Sequence, residues 1–146
     1  KAVEMGAGRF RPVITQHTQV HRLNLDRMRA NAVEAAEQCG ILSIAEIDEP
    51  QPLAAILAAW DATRTLIFAD EGSDKTDPIA ALNKVPRGPL AVLIGPEGGF
   101  SAAERAELRA LPHVTILPLG PRILRADTAA VAALALVQSV CGDWSR

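Results

Sequence analysis

Short apolar runs alternate along the chain with longer segments in which apolar residues recur every three or four positions. Five of the runs are short enough to be buried strands: residues 10–14, 42–47, 65–69, 90–94 and 114–117. Strands separated by helical segments are typical of a mostly parallel sheet covered by helices. The pattern therefore predicts an α/β domain.

Helical spacing is clearest between the first two strands. It predicts an amphipathic helix over residues 23–39 that ends at Gly40, and a second, short helix over residues 53–60. Residues 70–89 are rich in acids, glycine and proline, which predicts a loop with one helical turn over residues 78–82.

Two more helices are predicted in the second half of the chain. Ser101 and Glu104 have the spacing of a capping box, so a helix should begin there and run to about Leu111. The last helix should begin near Asp127 or Thr128, and it is apolar almost all round. Such a helix is buried on more than one side, either in the core or against a second subunit.

Composition narrows the class of protein. The 146 residues are 49% hydrophobic but only 3% aromatic, which fits one domain with aliphatic layers and disfavours an aromatic platform for nucleic-acid bases. Cys39 and Cys141 are far apart and outside any CxxC pattern, so neither a zinc site nor a disulfide framework is indicated. With no secretion signal and no apolar run of membrane-spanning length, we expect a cytoplasmic location.

Charge is distributed unevenly although the net charge is only −2. Residues 1–30 contain six Lys or Arg against two acids, whereas residues 31–83 contain two against ten. The excess of cations in residues 1–30 favours an anionic partner bound near that segment. The alternative interpretation of the uneven charge is a solvated surface on which charge fluctuates along the chain.

The most informative segment is LAVLIGPEGGFSAAE, residues 90–104. A predicted strand leads into a turn with three glycines and a proline, and a capped helix follows. Glycine allows positive φ and close approach of the backbone to a ligand, and ligands of open α/β sheets bind beyond the carboxyl ends of strands. A tight turn without a ligand is the alternative, since the segment matches neither GxGxxG nor the P-loop pattern.

A second segment, LPLGPRILRADTAAV over residues 117–131, has the same organisation. Two such loops on neighbouring strands would form a pocket of backbone amides and aliphatic side chains, which suits an adenosine group. Arg122 and Arg125 flank Ile123 and Leu124. Cations at a helix start oppose the helix dipole, which favours a role with an anion or substrate over a purely surface role.

Together, IGPEGGFS (94–101), LGPRILRADTA (119–129) and the opening KAVEMG (1–6) resemble the RsmE family of SPOUT-class methyltransferases. The resemblance covers nearly the whole chain, including NAVEAAEQCG (31–40) and VQSVCGDW (137–144). It implies methylation of uridine N3 in 16S ribosomal RNA of the small ribosomal subunit, with S-adenosylmethionine as the cofactor.

The resemblance also implies an architecture. We expect a SPOUT-type α/β fold with a mostly parallel sheet, a C-terminal trefoil knot that holds the cofactor, and a homodimer. Family members carry a small N-terminal RNA-binding β domain, so we expect residues 1–146 to be the methyltransferase domain that follows it. Ala126 and Asp127 stand where the family has Thr-Glu, which shortens the reach of that carboxylate.

The expected site residues follow from the two loops. The cofactor-binding residues are Leu93, Ile94, Gly95, Pro96, Glu97, Gly98, Gly99, Leu117, Leu119, Gly120, Ile123 and Leu124. Methyl transfer depends mainly on positioning and electrostatics. We expect Arg125 to stabilise the uracil anion on its carbonyl oxygens, while Glu97 or Asp127 accepts the N3 proton.

Two other functions remain open at this point. One is a different SPOUT enzyme that methylates tRNA ribose. The other is a catalytically silent dimer that binds an adenosine ligand or RNA.

Overall fold

The computed structural model describes residues 1–19, 22–70, 72 and 77–145. Every strand pair within these residues is parallel, which confirms the α/β prediction. The strands are β1 (Arg9–Phe10), β2 (Val13–Ile14), β3 (Glu46–Ile47), β4 (Gln51–Pro52), β5 (Thr65–Ala69), β6 (Leu90–Leu93) and β7 (Val114–Leu117). The helices are α1 (Leu25–Cys39), α2 (Leu53–Ala58), α3 (Pro78–Leu82), α4 (Ala102–Ala110) and α5 (Ala126–Val140), and a 3-10 helix covers Asp143–Ser145.

The central sheet has the order β6-β5-β7, so β5 is its middle strand. Its residues Ile67 and Phe68 have no exposed surface and belong to two different core clusters. Phe68 packs in the cluster that contains Leu108 of α4, and Ile67 packs in the cluster that contains Ala133 and Val137 of α5. Because β5 pairs in parallel with both neighbours, the carboxyl ends of all three strands meet at one edge. The chain segments that leave this edge form the candidate site.

The N-terminal third forms two separate two-stranded sheets, β1-β3 and β2-β4. The prediction of one strand over residues 10–14 is therefore wrong, because Pro12, which has no N–H, separates β1 from β2. The predicted strand over residues 42–47 shortens to Glu46–Ile47. Leu42 and Ile44 are apolar but 104% and 61% exposed, so burial does not hold that segment in a strand.

The helix termini follow their capping residues. The side chain of Asn24 accepts a hydrogen bond from the backbone N–H of Arg27, which places the start of α1, and Gly40 ends the helix with φ +65°. Helix α3 matches the predicted turn, and α4 begins with the predicted capping box at Ser101. Within the predicted loop over residues 70–89, residues 71 and 73–76 lie outside the described residues.

Helix α5 begins at Ala126, slightly earlier than expected, and packs on two sides. Ala133 and Val137 belong to the core cluster beneath the central sheet. On another face, Gln138 Nε2 donates to the Met5 carbonyl at 2.9 Å, and Lys1 Nζ lies 3.6 Å from Asp127 Oδ2. The N-terminal segment of the same chain is thus held against α5 by polar contacts.

The uneven charge is in part compensated within the fold. Parallel pairing of β1 with β3 brings Arg9 within 3.0 Å and Arg11 within 3.3 Å of the Asp48 carboxylate, and Arg29 lies 3.8 Å from Glu49. These pairs are largely exposed and contribute little to stability. Nevertheless, through these pairs several cations of residues 1–30 have acidic partners within the protein itself.

No helix among the described residues combines the length and the apolar character that crossing a bilayer requires.

Candidate functional site

The loop between β6 and α4, residues 94–101, is the first wall of the site, and we call it the first loop. The N–H of Gly99 donates to the Pro96 carbonyl at 2.8 Å, and Gly99 has φ +66°. A Cβ on Gly95 would lie 2.8 Å from the ring of Phe100, which packs edge-on against Phe68. The absence of a side chain at Gly95 therefore makes room for Phe100.

The turn after β2 anchors the first loop from outside. His17 Nδ1 donates to the Gly98 carbonyl at 3.0 Å, and a Cβ on Gly98 would lie 3.0 Å from the His17 Cβ. Glu104 accepts from the backbone N–H of Gln16 through Oε1 and from that of Ser101 through Oε2, each at 2.8 Å. One carboxylate thus joins the N-terminal third to the start of α4.

These contacts also determine the ionisation of Glu104. Burial by itself would raise its pKa, but the hydrogen bonds from the backbone of Ser101 and Gln16 favour the charged form and lower the pKa below its ordinary value. Glu104 is therefore a structural carboxylate, ionised at neutral pH.

The loop between β7 and α5, residues 118–125, is the second wall, and we call it the second loop. A Cβ at Gly120 would meet no atom within 4 Å, so lack of space does not require glycine there. The backbone does, because φ is +89°, a conformation that favours glycine. Ile123 is 83% exposed. Arg125 is the N-cap residue of α5, and its carbonyl accepts the Ala129 N–H at 2.8 Å.

A pocket lies between the two loops, as the sequence predicts. Ten of the expected site residues line it: Ile94, Gly95, Pro96, Glu97, Gly99, Leu119, Gly120, Ile123, Leu124 and Arg125. Arg122, which flanks Ile123 and Leu124 together with Arg125, lines the pocket too. Backbone and aliphatic groups therefore share this pocket with charged side chains.

Four expected site residues lie elsewhere. Leu93 and Leu117 are buried in the two core clusters, where they support the loops from below. Gly98 packs against His17. Asp127 is absent from the residues lining the pocket and faces Lys1 instead.

The environment of Asp127 makes it a weak base. A hydrogen bond from the Thr128 backbone N–H is the largest cause that lowers its pKa, and the charges of Lys1 and Arg125 lower it further. A carboxylate with a lowered pKa accepts protons less readily. Of the two candidate bases, Glu97 is the one that lines the pocket.

A charged group at the rim of the pocket is not predicted from the sequence: it consists of Asp70, directly after β5, and two arginines of α4. The Asp70 side chain is 0% exposed. Arg109 Nη2 donates to Asp70 Oδ2 at 2.6 Å, and Arg105 Nε lies 3.3 Å from Oδ1. Asp70, Arg105 and Phe100 all line the pocket. The signals that the sequence offered were an acid directly after a buried strand and two arginines four residues apart on the helix α4.

Comparisons with known proteins agree with this geometry. Residues 1–138 match the family model described as an RNA methyltransferase domain. The chain is 28% identical over 138 residues to ribosomal RNA small subunit methyltransferase E of Rickettsia conorii, covering 94% of this chain and 56% of that protein.

Two solved structures are also similar. Ribosomal RNA small subunit methyltransferase E from Neisseria gonorrhoeae, bound to S-adenosyl methionine, is 27% identical with a TM-score of 0.81, covering 98% of this chain and 59% of that chain. A methyltransferase from Legionella pneumophila with bound SAM is 30% identical with a TM-score of 0.74, covering 94% and 57%.

The chain thus spans a little over half the length of the relatives that it matches. The resemblance to the RsmE family predicted from the two loop motifs is confirmed by these relatives. Since the family model matches nearly the whole chain, the protein belongs to the RNA methyltransferase domain family.

Proposed function

We propose that the chain is the methyltransferase domain of an enzyme that transfers a methyl group from S-adenosylmethionine to N3 of a uridine in 16S ribosomal RNA. The observation that carries the proposal is the pocket between the two loops at the carboxyl edge of the central sheet. Similar proteins with the same fold bind S-adenosylmethionine.

The residues that line the pocket suit this cofactor. Ile94, Leu119 and Leu124 supply aliphatic surface, and the loop backbone supplies hydrogen-bonding groups for an adenosine. Arg105, Glu97 and Arg125 supply charge for polar groups of the cofactor and the substrate. The cofactor supplies a methyl group on a sulfonium, and the protein has to orient it towards the uracil.

The reaction forms a bond from uracil N3 to the methyl carbon and breaks the bond from that carbon to sulfur, so the N3 proton must leave. In this proposal Arg125 bonds the uracil carbonyl oxygens as negative charge develops. Glu97 accepts the N3 proton directly or through water. Asp127 stays a predicted second candidate, although its contact with Lys1 and its lowered pKa favour Glu97.

Three further expectations from the sequence stay part of the proposal. A SPOUT-type trefoil knot is compatible with the strand order β6-β5-β7. In this order the chain passes from β6 across the middle strand β5 to β7, and the second loop then lines the same pocket as the first loop. A homodimer is favoured by the largely apolar, half-exposed perimeter of α5. A cytoplasmic location follows from a ribosomal substrate.

The direct test supplies the purified protein with small ribosomal subunits and S-adenosylmethionine labelled in its methyl group. The labelled RNA is then digested and its nucleosides are separated. Label in 3-methyluridine supports the proposal. Label in a ribose-methylated nucleoside of tRNA supports the other SPOUT activity, and cofactor binding without transfer to any RNA supports the silent dimer.

A further inference from the structure

One peptide unit of the first loop is hydrogen-bonded at both of its polar ends. The carbonyl of Gly98 accepts from His17 Nδ1 at 3.0 Å, and the N–H of Gly99 donates to the Pro96 carbonyl at 2.8 Å. Both groups belong to the peptide unit between Gly98 and Gly99. Because glycine is the residue whose backbone is least restricted, these two hydrogen bonds are what restrains the rotation of this unit. The contact with His17 therefore helps to fix the turn of residues 96–99.

His17 is presented to the first loop by a closed turn of residues 15–18. The N–H of Thr18 donates to the Thr15 carbonyl at 3.2 Å, and the N–H of Thr15 donates to Thr18 Oγ1 at 2.9 Å. The two threonine hydroxyls lie 3.0 Å apart, and Thr15 is only 8% exposed. His17 is itself exposed, but it projects from a backbone that these contacts hold in place.

The direction of the Glu97 side chain depends on the turn of residues 96–99. Glu97 lies on this turn and lines the pocket. It is exposed, and within the part of the chain that the structure describes no hydrogen bond or ion pair holds its carboxylate. Its position is therefore determined mainly by the backbone of the turn. A general base must lie within hydrogen-bond reach of the proton that it accepts, so a change in this backbone should slow the reaction.

We propose that His17 is a positioning residue for methyl transfer: its Nδ1–H holds the Gly98 carbonyl and so keeps the turn of residues 96–99 in the conformation that places Glu97 to accept the N3 proton. His17 does not line the pocket, so it acts through Glu97 and keeps its own proton throughout. This inference rests on the proposed function and deepens it, because it adds to the reaction a residue that belongs to neither loop.

The test compares two substitutions of His17 that have the same branched shape. In His17→Asn the amide Nδ2 is bonded to Cγ, as Nδ1 is in histidine, and it can donate to the Gly98 carbonyl. In His17→Leu a methyl group takes that place and cannot donate. Both substitutions remove the imidazole and its electrostatic interaction with Glu104, so the difference between them measures the donor alone. Gln16→Ala changes an exposed side chain of the same turn and is the control.

Single-turnover rates are measured with small ribosomal subunits at saturating S-adenosylmethionine, at a temperature well below the melting temperature of every variant. We expect His17→Leu to slow methyl transfer about ten-fold, the scale of one hydrogen bond. His17→Asn should stay within about three-fold of the unsubstituted protein, and Gln16→Ala within about two-fold. If His17→Leu is too unstable to measure, His17→Ala replaces it with the same expectation.

Binding of the cofactor should be affected less than the rate. Phe100 packs against Phe68 and fills the space beside Gly95, so the start and the end of the first loop are held without His17. The dissociation constant of S-adenosylhomocysteine, measured by calorimetry, should therefore change by less than about three-fold in His17→Leu.

A double substitution tests whether His17 acts through Glu97. In a Glu97→Gln background the base is already absent, so adding His17→Leu should slow transfer by less than about two-fold. Equal rates in His17→Leu and His17→Asn, or the full ten-fold loss in the Glu97→Gln background, would overturn the positioning role and leave the proposed function intact. If the unsubstituted protein transfers no methyl group to RNA, the proposed function fails together with this inference.

Discussion

Each of the two loops of the pocket contains a Gly-Pro pair, but the two loops are held in different ways. The first loop is fixed by the protein itself, through Phe100 beneath Gly95, His17 on the Gly98 carbonyl and Glu104 at the start of α4. The second loop presents Ile123 at 83% exposure, and its Gly120 has open space around the missing Cβ. Two loops that share a Gly-Pro pair thus serve as a scaffold in one case and as an exposed surface in the other.

This difference separates stability from ligand recognition. Substitutions in the contacts of the first loop should lower the stability of the fold. Substitutions in the second loop should leave the fold intact and alter binding or methyl transfer.

The largest effect is expected at Arg125 in the second loop. Arg125→Ala should slow methyl transfer roughly 100-fold, the usual scale for removing one preorganised electrostatic donor, while cofactor affinity stays within a few-fold. Single-turnover kinetics at saturating cofactor and RNA measures the chemical step. Arg125→Lys should recover only part of the rate, because it restores the charge without the planar fork of donors.

The opposing account holds that Arg125 only stabilises the start of α5. That account requires a lower melting temperature or weaker cofactor binding in Arg125→Ala, with an unchanged single-turnover rate. Such a result would remove Arg125 from the mechanism.

The next effect is expected at Ile123. If the second loop covers the nucleoside, the bound ligand buries most of the exposed Ile123 side chain. Ile123→Ser removes that apolar contact, so it should weaken binding of S-adenosylhomocysteine about ten-fold. The free energy of unfolding without ligand should change by less than about 0.5 kcal/mol. Leu42→Ser, at an exposed position outside the pocket, is the control and should alter neither quantity. Unchanged affinity in Ile123→Ser would show that the loop does not close over the ligand.

A smaller effect, on stability, is expected at Glu104. Glu104→Gln loses one of its two acceptors for the backbone N–H groups of Gln16 and Ser101, so the free energy of unfolding should fall by about 1 kcal/mol. Urea denaturation measures this change. Glu107→Gln on the exposed face of the same helix is the matched control, and equal stability of the two variants would refute the anchoring role.

The smallest effect is a dependence on pH. The folded-state pKa of Glu104 is lowered, so its contribution to stability is fully present above the unfolded-state pKa and is lost as pH falls through the folded-state value. Between about pH 5 and pH 3, the unsubstituted protein should therefore lose more stability than Glu104→Gln does. Parallel curves of melting temperature against pH for the two proteins would contradict this.

The sequence predicts most reliably those elements that local patterns define. Residues 65–69 and 114–117 form strands as predicted because they are mainly apolar runs. Helix α3 covers the predicted turn, and α4 begins at its predicted capping box. The pattern fails at the first strand, which Pro12 interrupts. It also fails at the second strand, because Leu42 and Ile44 are apolar but exposed.

The candidate site was predictable only as far as it lies on the two motifs. Asp70 meets Arg109 across 39 positions, and nothing local in the sequence states that β5 ends beside α4. The same limit applies to Leu93 and Leu117, which lie next to the loops in sequence but point into the core. Neither spacing nor composition shows which side of a strand end faces a pocket.

In the proposed function the two loops bind the nucleoside cofactor together. A titration of isotopically labelled protein with S-adenosylhomocysteine tests this joint binding, followed through the backbone amide signals by nuclear magnetic resonance. Binding at one site per chain should shift the amides of residues 94–100 and 119–126, with the larger shifts in the exposed second loop. Shifts confined to other parts of the chain, or none at millimolar ligand, would contradict the claim.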